Sequence, residues 1–235
     1  MKKVKILCTL GPKSLNKDFL KFANKKVNLV RLNLSHINIS NLEKTIKFVK
    51  KNTNVPICID TEGAQIRTKV KKNKKFLFGK KGYIYDRGGN FNLYPNYIFN
   101  KLKKNDILDV GFNGLKIKIL KKIKNKILFK SIKAGLLEKN KGVHLENRLA
   151  KLNFLTDKDF KAIEISKKLG IKNFALSFTN SLEDIKKFNK LLPKENKIFK
   201  IETKRAINSL DKLFKVGNNF LIDRGDLSKE ISIFK

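Results

Sequence analysis

A lysine and a glutamate two residues apart, with an aspartate further along, carry the most chemistry in this chain: Lys200 and Glu202 in IFKIE, and Asp226 in DRGD. The apolar alternation of Ile198, Phe199, Lys200, Ile201 and Glu202 predicts a strand with Lys200 and Glu202 on the same side. A helix-sized interval separates it from a second apolar run, Phe220 to Ile222, which breaks into Arg224, Gly225 and Asp226. In a parallel β/α architecture successive strands end on one face, which would bring Lys200, Glu202 and Asp226 together. Two carboxylates beside an ammonium make a site for a divalent cation and an anion, because hard oxygens hold Mg²⁺ while the lysine faces a phosphate. The spacing alone fits a surface ion pair on an edge strand equally well.

The elements that must position these residues alternate. Strands are predicted over 4–10, closed by Gly11 and Pro12, over 28–34 and over 55–59, with a helix over 17–23 between the first two. A second helix follows Ser40, which has the capping-box spacing to Glu43, and Leu42, Ile46 and Val49 then recur at helical intervals. From 69 to 145 the pattern changes to short β-like runs at 76–78, 83–85, 107–110, 115–120 and 127–132, with no helix expected. Thr156 with Asp159 then caps a helix stopped by Gly170, a fourth strand covers 173–178, and Ser181 caps a helix ending before Pro193. The runs ending at Glu202 and Ile222 are the fifth and sixth strands. The fold class is therefore α/β: a TIM-type (β/α) barrel, incomplete at about six strands, over 1–68 and 146–235, with a small all-β insertion domain over 69–145. An unfinished barrel leaves open edges that invite pairing with another polypeptide.

The net charge of +35 on 235 residues would ordinarily point to nucleic acid. Only six of the 55 basic residues are arginine, the residue that reads base edges, and the lysines are spread through every segment. Lysine, asparagine, isoleucine and phenylalanine are abundant together, as an AT-rich coding sequence would give. No specific nucleic-acid partner is expected, only weak and salt-sensitive attraction to polyanions. There is no apolar run of about 18 residues and no secretory pattern at the start, so no membrane partner is expected. Cys8 and Cys58 lie in strand patterns and read as free thiols of a cytoplasmic protein.

CTLGPKS, VRLNLSH, IDTEGAQIRT, FKIET and DRGDLSKEI occur in this order across the chain, and on these segments it resembles the pyruvate kinase family. The resemblance implies a glycolytic phosphotransferase that moves a phosphoryl group from phosphoenolpyruvate to ADP, giving pyruvate and ATP. Charge neutralisation and positioning, not a covalent nucleophile, would drive it. It implies Lys200, Arg31 and Arg67 as the catalytic cations, Glu202 and Asp226 as ligands of Mg²⁺ or Mn²⁺, and the backbone around Arg224, Gly225 and Asp226, with Lys200, as the grip on the substrate. Asn33, Ser35, Asp60 and Thr61 would hold K⁺; Asn33, His36 and Arg67 would lie beside the nucleotide; the insertion would act as a lid. Each arginine could instead pair with a neighbouring carboxylate, and His36 could instead cap its own loop.

The sequence also departs from the family. Glu62 stands where lysine is common, Ala64 where proline is, and Gln65 where glutamate or lysine is, the last leaving K⁺ dependence open. Asp223 replaces alanine and Ser228 glycine; an inward-pointing Asp223 would repel a substrate carboxylate. GVHLENR differs from the family's GVNLPG, and Asp109 matches only part of the lid's acidic pair. No counterpart of the family's seventh and eighth strands or C-terminal domain precedes Lys235, so self-association or a complementing C-terminal polypeptide is expected. The alternative is a catalytically inactive barrel fragment serving as a binding or assembly subunit.

Overall fold

The structure, a computed structural model, describes residues 4–111, 114–148, 150–228 and 230–231. The chain divides into two compact units, Met1–Ala64 with Asn153–Lys235, and Gln65–Leu152.

The first unit is built on six strands: β1 (Leu7–Thr9), β2 (Leu29–Asn33), β3 (Ile57–Asp60), β4 (Asn173–Leu176), β5 (Asn196–Ile201) and β6 (Phe220–Ile222). They pair in chain order and every pairing is parallel. This is the incomplete TIM-type barrel that the β/α alternation predicts. Helices Lys17–Lys26, Ile39–Asn52, Asp157–Lys168 and Leu182–Leu191 alternate with the strands. Their apolar positions, among them Leu20, Leu42, Ile46, Ile163, Ile185 and Phe188, join Val30, Leu32, Ile59, Phe174, Leu176 and Phe199 in one buried core. Each such side chain contributes about 1.5–3 kcal/mol by leaving water.

The caps set where these helices begin. Thr156 and Asp159 form a reciprocal capping box, and the Ser181 side chain accepts from the Asp184 N–H. The expected box at Ser40 and Glu43 is not formed. The helix starts at Ile39 behind Asn38, which makes no side-chain cap bond, and Glu43 pairs with Lys47 at i, i+4. Ile39, the first helical residue, packs against the core, and Ser40 lies inside the helix. Cys8 and Cys58 are free. Among the described residues no helix is long and apolar enough to cross a membrane.

The second unit is a seven-stranded antiparallel sheet, ordered 81–85, 126–133, 115–123, 107–110, 142–145, 66–70, 91–94, with a two-stranded pair of 74–76 and 135–137. Its core is its own, with Ile84, Leu108, Leu115, Ile117, Ile119, Ile127 and Phe129 buried while the lysines between them alternate outward. The insertion is built on β-strands as expected, with one addition. A single helical turn, Ile98–Lys101, buries Ile98 and Phe99 where the sequence shows no helical period long enough to detect. Arg148 forks onto both oxygens of Asp106, at 2.7 Å each.

Candidate active site

β5 ends on Lys200 and Ile201, and Glu202 follows as the chain leaves the sheet. Lys200 is 3% exposed, and its ammonium is ringed by Glu202 Oε1 at 2.9 Å, Ser177 Oγ at 3.1 Å, Asp223 Oδ2 at 3.2 Å and Asp60 Oδ2 at 3.4 Å. Parallel register explains this convergence. Asp60, the last residue of β3, stands opposite Asn33 on β2 and Ala175 on β4. Its carboxylate also takes the Ser177 hydroxyl at 3.0 Å and lies 3.5 Å from Arg31 Nη1.

The charges hold one another in place. Burial disfavours the Lys200 ammonium, but Asp60, Glu202 and Asp223 together outweigh it and hold the group above lysine's ordinary range. Burial pushes the Glu202 carboxyl up to about 7, against the opposing pull of Lys200 and of the Phe178 N–H, which donates to Oε2 at 2.6 Å. Partial burial raises Asp223, yet Lys200 and then Arg31 bring it below the usual carboxylate range. Ligand oxygens of Glu202, Asp223 and Asp226 all lie within 4.8 Å of one another. Such a cluster of hard carboxylate oxygens is the kind of donor set that suits a divalent cation.

Two unusual backbone positions hold the ring in place. Phe178, just past β4, has φ 52, a left-handed conformation costly for a bulky side chain, and it is this residue whose N–H reaches Glu202. Gly63 has φ 65, and a Cβ there would meet the Ser177 carbonyl oxygen at 2.2 Å. Gly63→Ala should therefore destabilise the chain by about 2 kcal/mol or more, and it should push Ser177 off Lys200. Thermal melting would measure the first effect; an unchanged melting temperature would contradict this packing.

The other sequence candidates are distributed as follows. Asn33 Oδ1 accepts the Ser35 N–H, Thr61 Oγ1 accepts the Ser177 N–H, and the His36 N–H bonds the Asn33 carbonyl. Arg67 lies in the second unit on strand Ile66–Val70, donating from Nη1 to the Asn140 carbonyl at 3.4 Å. Arg224 and Gly225 are exposed at the start of the short helix Arg224–Leu227, where the Gly225 N–H is taken by Asp223 Oδ1 at 3.2 Å. Glu62, in lysine's usual place, pairs with Lys158 at 3.0 Å and accepts the Thr156 hydroxyl. Three participants escape sequence reasoning: Ser177, the Phe178 amide, and Asp223 as a direct partner of Lys200. Only Asp223 left a signal, as a carboxylate in an otherwise family-like segment.

The family model described as pyruvate kinase, barrel domain, matches residues 1–235. The chain is 30% identical over 242 residues to pyruvate kinase of Methanocaldococcus jannaschii, covering 99% of this chain and 52% of that protein. Pyruvate kinase of Thermotoga maritima is 28% identical over 251 residues, at 99% and 54% coverage, and that of Buchnera aphidicola 30% identical over 253 residues, at 98% and 53%. The chain spans about half the length of the curated relatives it matches.

Proposed function

The chain belongs to the pyruvate kinase family, and from that premise we propose that it takes part in phosphoryl transfer from phosphoenolpyruvate to ADP. The observation that carries this reading is the buried Lys200 ammonium among carboxylates that also offer a divalent-cation site. Lys200 stays protonated through neutral pH, so it serves as a fixed charge facing the transferring phosphoryl group and not as a proton donor. Arg31, anchored on Asp60, has a buried Nε with no protein partner among the described residues and adds a second donor for an anion. Glu202 and Asp226 would hold Mg²⁺ or Mn²⁺, which supplies neutralisation of phosphoryl and enolate charge. Arg67 would contact phosphate and nucleotide. Asn33, Ser35, Asp60 and Thr61 offer oxygens at neighbouring strand ends suited to K⁺, and Asn33 and His36 would border the nucleotide. The backbone at Arg224 and Gly225 would face the substrate carboxylate.

The test is pyruvate formation from phosphoenolpyruvate and ADP with Mg²⁺, with and without K⁺, by the chain alone and with added C-terminal polypeptide of a relative. Absence of turnover under every condition would reject the reading. Because Glu202 titrates near 7, its carboxyl is partly protonated at neutral pH and must release that proton to bind a cation. Mg²⁺ affinity should accordingly rise between pH 6 and 8, with proton release in calorimetry. Glu202→Gln should flatten this pH dependence and weaken Mg²⁺ binding about tenfold or more.

A further inference from the structure

Among the described residues, Asp223 is the one charged group in direct contact with Lys200 that the proposed ligand set of Glu202 and Asp226 leaves without a task, although its carboxylate also lies within 4.8 Å of theirs. Both of its oxygens are engaged: Oδ2 lies 3.2 Å from the Lys200 ammonium, and Oδ1 accepts the Gly225 N–H at 3.2 Å. A cation and a backbone N–H are the two kinds of donor that an incoming anion needs. Neither is spare. The Lys200 ammonium has three N–H bonds and already meets Glu202, Asp60 and Ser177 besides Asp223. A carboxylate tethered one residue from Arg224 and two from Gly225 also competes at a high effective concentration, which a dissolved anion must overcome.

Resting on the functional reading above, we propose that Asp223 is a specificity-determining residue, a built-in anion that competes with the substrate's own anionic groups for Lys200 and the Gly225 amide. It holds the empty site in a self-satisfied state and lowers the affinity for phosphorylated carboxylic acids. A substrate anion enters by displacing Asp223 from one or both donors. If Asp223 acted instead as a cation ligand, its removal would weaken Mg²⁺ binding and weaken substrate binding with it, so the two roles predict opposite signs.

The experiment is calorimetric titration of the full chain with phosphoenolpyruvate and, separately, with inorganic phosphate at saturating Mg²⁺, in the parent, Asp223→Ala and Asp223→Asn. Asp223→Ala should tighten both anions about tenfold or more. Asp223→Asn keeps the volume and an oxygen for the Gly225 N–H, so it should tighten them less than alanine does while guarding against a folding defect. Unchanged or weaker anion binding in both variants overturns the inference. Pyruvate formation is read in parallel. Tighter phosphate binding without turnover, by the chain alone and with the added C-terminal polypeptide, would keep the inference and reject the kinase reading. Turnover in the parent with no gain in either variant would do the reverse.

Discussion

On the functional reading proposed above, Lys200→Met is expected to reduce pyruvate formation by about a thousandfold or more while leaving Mg²⁺ binding in place. The size follows from what the ammonium does: a preorganised charge in a water-poor site is worth about 10²–10³ in rate for a single donor, and Lys200 is also the hub of the ring. Methionine matches the stem and removes the charge, leaving Asp60, Glu202 and Asp223 around an apolar tip. Uncompensated buried carboxylates cost about 3–5 kcal/mol, so the variant should also melt lower. Metal affinity separates the two effects. With a competing cation gone, the carboxylates should bind Mg²⁺ as tightly as in the parent or more so, and added Mg²⁺ should restore part of the lost stability. Activity within tenfold of the parent would remove Lys200 from the chemistry.

Asp159→Ala should be the most damaging substitution for folding. The carboxylate is fully buried and accepts three backbone N–H groups: Glu62 at 2.7 Å, Thr156 at 2.9 Å and Gly63 at 3.1 Å. It thus caps the helix Asp157–Lys168 and pins the turn that directly follows Asp60 at the end of β3. Alanine strands three buried donors at about 1–3 kcal/mol each, so a loss on the order of 4 kcal/mol is expected, about 10 °C in melting temperature. Burial also pushes the Asp159 carboxyl up to about 6, opposed by its N–H donors. A native pKa above the unfolded value of about 3.9 means that the native state binds this proton more tightly. The stability so contributed is present in full below about pH 4 and is lost as pH rises through 6. The penalty for alanine should therefore grow as pH is lowered from 7 to 5. A penalty that shrank over that range would refute the assignment.

Much of the frame was legible because it rests on local signals. The period-two run around Lys200 and Glu202 pointed to a shared side, and the two do meet although Glu202 lies just past the end of β5, while the Thr156–Asp159 spacing announced a capping box that formed. Tertiary context accounts for the rest. Ser177 is an ordinary serine until the parallel register sets it against Asp60, and nothing about a phenylalanine signals the left-handed backbone that aims the Phe178 amide at Glu202. Ser40 and Glu43 had the right spacing, but the helix starts one residue earlier, at Ile39, which packs against the core. In the second unit, strands 66–70, 91–94, 135–137 and 142–145 were missed. They are three to five residues long, three of them interrupted by polar or charged residues and the fourth only Gly-Leu-Leu, so their pairing is decided by neighbours distant in sequence.

The chain-order pairing of β1 through β6 has a consequence for synthesis on the ribosome. Each strand emerges next to the one already laid down, so this half of the molecule could grow by successive addition, edge by edge, with one exception. β3 must wait for β4 until residues 61–172 have been made. Joining chain ends across so long a disordered stretch is entropically slow. Because Gln65–Leu152, most of that stretch, has a separate apolar interior, it can collapse first, and the waiting edge then meets its partner across a shortened gap.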